Sequence, residues 1–87
     1  MLSFIVIGRN EGVKLINCLN SIYETITYNN LTKYEIIYVD SNSSDNSINN
    51  LKKFNNIKII KLTANYNSAI ARNVAVNNSS FENLFFI

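Results

Sequence analysis

The chain has 87 residues, a formal net charge of +2 from 8 Lys and Arg against 6 Asp and Glu, and a hydrophobic content of 47%. This length allows one small domain, and the high apolar content with few Gly and Pro residues excludes disordered, collagen-like and linker classes. No basic block marks a nucleic-acid partner, and one cysteine without any histidine excludes a disulfide framework, a Cys/His zinc site and a His-based catalytic triad.

The first half of the chain reads as a strand, a helix and a second strand. The β-branched run Leu2 to Ile7 predicts a strand that closes at Gly8. A helix is predicted from about Glu11 to Ile26, with Asn10 as its N-cap, because apolar residues recur there at helical spacing. These apolar residues are Leu15, Cys18, Leu19, Ile22 and Ile26. The run Tyr34 to Val39 predicts the second strand.

The second half continues the alternation of helices and strands. The predicted elements are a short helix from Ser44 to Phe54, a strand from Ile57 to Leu62, a helix from Asn67 to Asn77 and a strand from Leu84 to Ile87. Residues that favour a helix start precede or open the short helix: Ser43, Ser44 and Asp45. The third helix carries side chains that would let it lie close to a sheet: Ala69, Ile70, Val74 and Ala75.

The βαβαβαβ order predicts an α/β fold with three layers. Strands that alternate with helices are joined by right-handed crossovers, so we expect a mostly parallel sheet with helices on both faces. This is half of a doubly wound, Rossmann-like arrangement, and residues 1–87 are expected to form one domain. In such sheets a ligand crevice opens at the carboxyl ends of the strands, so the loops after the strands are the candidate functional segments.

The loop after the first strand combines glycine with polar side chains. Gly8 would let the chain turn sharply and bring backbone groups against a flat ligand, and Glu11 would lie in the positive first turn of a helix. Arg9 could contact a ligand or could be an ordinary turn residue. Ordinary turn and cap chemistry is the alternative explanation for Asn10 and Gly12.

Two later residues also admit a functional and a structural interpretation. Asp40 ends an apolar strand, where a carboxylate can accept hydrogen bonds from ribose hydroxyls or a base N–H, or can form an Asx turn. Arg72 is the one cation on an Ala-rich helix, where its guanidinium could meet a phosphate, a carboxylate or a base edge, or could lie solvated at the surface. For Asp45, helix capping is the favoured explanation.

Two familiar α/β binding classes lack their motifs in this sequence. Dinucleotide binding needs Gly-x-Gly-x-x-Gly between the first strand and helix, and only Gly8 and Gly12 are present there. A phosphorelay receiver domain needs a pair of acids after the first strand, and the only early acid is Glu11.

Taken together, the loops resemble the N-terminal nucleotide-binding half of family 2 glycosyltransferases, which have the GT-A fold. The segment Phe4 to Glu11, followed by Leu15, Cys18, Leu19 and Ser21, resembles the family's opening strand, Asn-Glu loop and Cys-Leu-x-Ser helix. Tyr34 to Ser47 is similar to its valine-rich strand, Asp and Ser/Thr-Asp-Gly-Ser turn, and Asn67 to Asn73 to its Ala-x-Ala-Arg-Asn helix. Many members have Pro and an aromatic residue before the Asn, where this chain has Gly8 and Arg9.

The resemblance implies transfer of a sugar from a nucleotide-diphosphate donor, commonly a UDP-sugar, to an acceptor hydroxyl. It implies that Gly8, Arg9 and Glu11 line the base pocket. Asp40 would hydrogen-bond the base or ribose, and Arg72 would close the pocket from the third helix. The full set of nucleotide-binding residues carried over is Gly8, Arg9, Asn10, Glu11, Asp40, Ser41 and Arg72.

The resemblance also implies groups that the family places after the fourth strand. An Asp-x-Asp there holds a divalent metal, Mn or Mg, on the diphosphate, and a later acid deprotonates the acceptor hydroxyl. The chain ends at Ile87, before that motif. We therefore expect a glycosyltransferase parent that binds the metal, and we expect these 87 residues alone to supply the donor pocket without metal or turnover.

The sequence leaves one alternative function and one further partner open. The alternative is a stand-alone nucleotide-binding or interaction module of the same fold, without catalysis. The apolar strand Leu84 to Ile87 predicts self-association through an exposed sheet edge. A cytoplasmic location is expected from the single cysteine and the lack of a leader, and any membrane attachment of the parent would come from later segments.

Overall fold

A computed structural model of the chain describes residues 2–43, 47–51, 54, 56–62 and 67–87. Within these ranges the elements follow one another in the predicted order. The four strands are β1 (Leu2–Gly8), β2 (Tyr34–Asp40), β3 (Ile57–Lys61) and β4 (Asn83–Phe86). The three helices are α1 (Val13–Tyr28), α2 (Ser47–Asn50) and α3 (Ser68–Asn77).

The four strands form one sheet in the order β3-β2-β1-β4, and every pairing is parallel. Pairing of β1 with β2 runs from Leu2 opposite Tyr34 to Gly8 opposite Asp40, so these two strands end level with each other. The chain first steps outward from β1 to β3 and then returns past β1 to add β4 on the other side. This reversal beside β1 is the position at which open α/β sheets bind ligands.

Helices cover both faces of the sheet, which confirms the predicted α/β class. One face packs against α1, and its buried sheet residues are Phe4, Val6, Ile36 and Tyr38. The other face packs against α3, and its buried sheet residues are Ile5, Ile37 and Val39. Alternate residues of β1 and β2 thus enter opposite cores, as continuous apolar runs in a parallel sheet require.

Helix α1 has the predicted apolar face but a later start. Leu15, Leu19, Ile22 and Ile26 are buried, and Cys18 is half-buried. The prediction of Asn10 as the N-cap is wrong: the cap is Gly12, with no side-chain hydrogen bond. Asn10 has φ 52° and Gly12 has φ 50°, so the backbone becomes helical only at Val13. None of the described helices, of which α1 is the longest, is long and apolar enough to cross a membrane.

Helix α3 lies where it was predicted but buries a different pair of alanines. The side chain of its N-cap, Asn67, accepts a hydrogen bond of 2.8 Å from the Ile70 backbone N–H. Ala71 and Ala75 are buried against the sheet, whereas Ala69, predicted on that face, is exposed. Residues four apart share a helix face, and residue 69 is two positions from 71 and so points elsewhere.

The second helix is described only in part. Residues Ser47–Asn50 are helical, and Leu51 directly after them is 1% exposed and packs in the α1 core. Ser44 and Asp45, predicted to start this helix, lie outside the described residues. Ser43 is described, and it contacts Asp40.

Glu35 ties three segments together at the opposite end of the sheet from the carboxyl ends. Its Oε1 accepts hydrogen bonds from the Ser3 hydroxyl at 2.7 Å and from the Ser80 backbone N–H at 2.6 Å. Burial raises the pKa of Glu35. The hydrogen bonds from Ser80 and Ser3 and the charge of Lys58 lower it by more than burial raises it, so the pKa lies below its ordinary value. The ionised carboxylate thus joins β2 to β1 and to the segment before β4.

We predict that this carboxylate gives the fold part of its pH dependence. With a lowered folded-state pKa, its contribution is fully present above the ordinary carboxyl pKa of about 4.3 and is lost as the pH falls through the folded-state value. Glu35→Gln should therefore flatten the loss of unfolding free energy between pH 7 and acid pH, measured by urea denaturation. Glu24→Gln, which neutralises an exposed α1 residue, is the control. Equal pH profiles for Glu35→Gln and the unsubstituted chain would contradict the assignment.

The two edge strands differ in how they meet solvent. β3 carries two exposed lysines, Lys58 and Lys61, which discourage pairing with another chain. β4 carries no charge, and Phe85, Phe86 and Ile87 at this edge are 55%, 44% and 52% exposed. The β4 edge is therefore the one at which the predicted self-association would take place.

Charge placed on the β4 edge should suppress that association. We predict that the sedimentation coefficient of the chain rises with concentration and that Phe86→Lys removes the rise, because a charged edge cannot be desolvated cheaply. Val13→Lys, at a 74% exposed apolar position on α1, adds the same charge away from the edge and should leave the association intact. A chain that sediments as a monomer at high concentration would refute the prediction.

Candidate functional site

A cleft of about 300 Å³ opens at the carboxyl end of β1, beside the start of α3. Four of the predicted site residues line it: Gly8, Arg9, Glu11 and Ser41. The remaining lining comes from Ile7, Asn67, Ser68 and Ala71. The cleft thus lies at the edge of the sheet where the order of the strands predicted a ligand crevice.

A larger cavity, of about 590 Å³, lies elsewhere and has a different character. It opens beside the β4 edge and is lined mainly by apolar side chains, including Leu2, Phe4, Ile22, Phe85 and Ile87. Its polar side chains, Ser21, Thr25 and Asn29, all come from α1 and its end, and each already donates a hydrogen bond to a backbone carbonyl of α1. The smaller cleft is the better candidate because polar groups from two loops and a helix start converge on it.

Gly8 brings the ends of β1 and β2 together at the base of the cleft. Its carbonyl oxygen accepts a hydrogen bond of 3.0 Å from the Ser41 backbone N–H. A Cβ atom at Gly8 would lie 3.0 Å from Cγ of Glu11 and 3.4 Å from the hydroxyl oxygen of Tyr38. The absence of a side chain at Gly8 therefore lets Glu11 fold back over the end of the strand.

Asp40 lies beneath the loops and is not among the residues that line the cleft. It is 0% exposed, and its carboxylate is bound by the chain's own donors. Oδ1 accepts hydrogen bonds from the Tyr38 hydroxyl at 2.8 Å and from the Ser43 hydroxyl, and Oδ2 accepts one from the Ser43 backbone N–H at 2.7 Å. The two hydrogen bonds from Ser43 are turn contacts of the kind that the structural interpretation predicts, and direct contact of Asp40 with a base or ribose stays a prediction.

Ser43 extends these contacts to the loop after β1. Its hydroxyl oxygen accepts a hydrogen bond of 2.9 Å from the Asn10 backbone N–H. Asn10 is exposed and does not line the cleft, so the structure gives its backbone a linking role. Neither Tyr38 nor Ser43 is among the site residues predicted from the sequence. The spacing held a signal for Tyr38, because residues two apart on a strand lie on the same face.

The start of α3 forms another side of the cleft. Asn67 and Ser68 line it, and this end of the helix carries the positive end of the helix dipole. Both residues were predicted to lie in the third helix, but neither was predicted to belong to the site. The helix start at Asn67 was predicted, and the positive charge that a helix start carries is the signal that could have assigned it to the site.

Arg72 is exposed on α3 and follows Ala71, which lines the cleft, but is not itself a lining residue. Its predicted role of closing the pocket stays a prediction. The loop after β3, residues 63–66, lies outside the described residues. The prediction that polar loops cluster at this edge of the sheet can therefore be compared only with the loops after β1 and β2.

The described residues do not fit a divalent metal. No group of three His, Cys, Asp or Glu side chains among them could hold a metal ion. Glu11 is the one acid in the lining, and the oxygens of Asp40 are engaged by Tyr38 and Ser43. What the cleft offers is hydrogen bonding, from a carboxylate, a hydroxyl, a guanidinium and a helix start.

Known proteins share the sequence pattern and the fold of this chain. The sequence profile of Glycosyl transferase family 2 matches residues 3–87. Among solved structures, the crystal structure of S. aureus TarS 1-349 is similar, with a TM-score of 0.82 and 25% sequence identity. The match covers 99% of this chain and 26% of the TarS chain, so this chain spans about a quarter of the length of that solved chain. None of the curated proteins matches the sequence.

The two glycines of the first loop should respond differently to alanine. Gly12 has φ 50° and ψ −119°, a conformation that only glycine adopts readily, so Gly12→Ala should lower the unfolding free energy by about 1–3 kcal/mol. At Gly8 the crowded neighbour is the flexible side chain of exposed Glu11, so Gly8→Ala should change it by less than about 1 kcal/mol.

Urea denaturation measures both free energies, and NMR locates the change. Gly8→Ala should shift the amide resonance of Glu11 by displacing its side chain from the cleft. A larger loss of stability for Gly8→Ala than for Gly12→Ala would show that the loop geometry described here is wrong.

Proposed function

The chain belongs to glycosyl transferase family 2, and we propose that it forms the donor-nucleotide pocket of an enzyme that transfers a sugar from a nucleotide-diphosphate donor to an acceptor hydroxyl. The donor is a UDP-sugar. The pocket recognises the nucleotide, and the groups that perform the transfer, with the divalent metal, belong to the rest of the parent protein. The chain alone does not turn over the donor.

The cleft at the carboxyl end of β1 is the observation that supports this proposal. Gly8 exposes its backbone in the lining of the cleft, so the flat ring of a nucleobase can lie against the chain there. The carboxylate of Glu11 and the hydroxyl of Ser41 can accept hydrogen bonds from a base N–H or from ribose hydroxyls. Its volume of about 300 Å³ is at the small end of ligand pockets and suits the nucleoside part of the donor.

Arg9 and the start of α3 suit the charged part of the donor. A guanidinium binds phosphate oxygens through charge-assisted hydrogen bonds, and the positive end of a helix favours an anion. Both border the same cleft as Glu11 and Ser41. Groups for the base, the ribose and the phosphates thus lie side by side, as recognition of a nucleotide diphosphate needs.

A titration with UDP, followed by amide resonances, tests the proposal. We expect resonances of residues 8–11, 41 and 68 to move with UDP and to stay in place with NAD. Arg9→Ala should weaken UDP binding by about tenfold, the value of one charge-assisted hydrogen bond. Lys14→Ala removes the same charge from an exposed α1 residue outside the cleft and should leave the affinity unchanged.

The outcomes separate the two candidate functions. Equal responses to UDP and NAD would remove the specificity that a sugar donor requires and would favour a general nucleotide-binding module. A response to neither ligand would refute the donor pocket and favour an interaction module of the same fold. Equal losses of UDP affinity for Arg9→Ala and Lys14→Ala would show that Arg9 acts only through the net charge of the chain and not by direct contact with UDP.

A further inference from the structure

A hydrogen-bond network joins the two loops that border the cleft, and Asp40 is its centre. The Tyr38 hydroxyl and the Ser43 backbone N–H donate to the two carboxylate oxygens, at 2.8 Å and 2.7 Å. The Ser43 hydroxyl donates to Oδ1 and accepts from the Asn10 backbone N–H at 2.9 Å. The network therefore runs from the sheet, through the loop after β2, to the loop after β1.

The direction of each hydrogen bond in this network follows from the donors available. A backbone N–H only donates, so the Ser43 hydroxyl accepts from Asn10, and its single proton is left to donate to Asp40. The lone pairs of that hydroxyl then face away from Asp40, and one of them accepts from Asn10. Loss of the hydroxyl would remove this hydrogen bond between the loops and leave a buried carboxylate with fewer donors.

Tyr38 anchors the network in the core of the sheet. Its side chain is 0% exposed and packs with the α1 core, so its hydroxyl has a fixed position. The same hydroxyl oxygen lies 3.4 Å from the point that a Cβ atom of Gly8 would occupy. Tyr38 thus holds Asp40 in place beside the end of β1.

We propose that Tyr38, Asp40 and Ser43 are positioning residues that hold the loop of Arg9, Asn10 and Glu11 in the shape that binds the donor nucleotide. The proposal rests on the proposed function. It differs from the role that the resemblance implies for Asp40, because the carboxylate acts here on Ser43 and through it on Asn10. The nucleotide contacts fall to the residues that line the cleft.

Substitutions at Ser43 test the proposal in the 87-residue chain. Ser43→Ala removes the hydroxyl, and Ser43→Thr keeps it. Ser21→Ala is the matched control, because its hydroxyl donates to the Asn17 carbonyl on the exposed side of α1. Amide hydrogen exchange at Asn10 without ligand reports on the loop, and calorimetric titration with UDP reports on binding.

We expect Ser43→Ala to speed amide exchange at Asn10 about tenfold and to weaken UDP binding about tenfold, with Ser43→Thr restoring both. Tyr38→Phe, which removes another donor to Asp40, should weaken UDP binding in the same direction. Ser21→Ala should change neither quantity. Restoration by threonine separates the hydroxyl's role from a general loss of packing.

Unchanged UDP affinity in both Ser43→Ala and Tyr38→Phe would overturn the positioning role. Asp40→Asn is a further variant, and a loss of UDP affinity in this variant alone would show that the carboxylate contacts the nucleotide itself. Unchanged exchange at Asn10 in Ser43→Ala would overturn it as well. If the unsubstituted chain binds no UDP, the proposed function fails, and exchange at Asn10 still decides whether the network holds the loop.

Discussion

The parallel pairing of β1 with β2 is the constraint on which the rest of the structure depends. Seven consecutive residue pairs bring Gly8 level with Asp40, so two loops of different sequence leave the sheet side by side. Because both strands are covered on both faces, a slip of one residue would exchange the two cores, placing the residues that pack on α1 under the small alanines of α3. The packing of the sheet therefore sets the geometry of the cleft.

The elements of this fold could be predicted from the sequence because each depends on a local pattern. Strands β1 and β2 are mostly apolar runs, and the apolar face of α1 repeats at helical spacing. The details that escaped prediction depend on contacts between segments. The strands beneath α3 determine that Ala71 and Ala75 are its buried alanines. Because α3 is short, the spacing of its apolar residues alone does not distinguish that pair from Ala69.

The site shows the same division between local pattern and tertiary contact. Four residues predicted at strand ends, Gly8, Arg9, Glu11 and Ser41, line one cleft, and their binding of a nucleotide stays a prediction. The partners of Asp40 could not be read from its position alone, because a carboxylate after a strand serves a turn and a ligand equally well. Ser43 completes that carboxylate's contacts, and its further bond to Asn10 joins residues 33 apart in sequence.

In the described loops, positive φ is adopted by asparagine more often than by glycine. Among the described residues, positive φ occurs at Asn10, Asn30, Asn42 and Asn56 and at one glycine, Gly12. Asparagine tolerates this conformation better than other residues with a side chain, yet its unfolded backbone samples far fewer states than that of glycine. Less conformational entropy is therefore lost when these loops become ordered. In a chain whose small size limits its buried surface, loops that cost less entropy to order leave more of the packing energy as net stability.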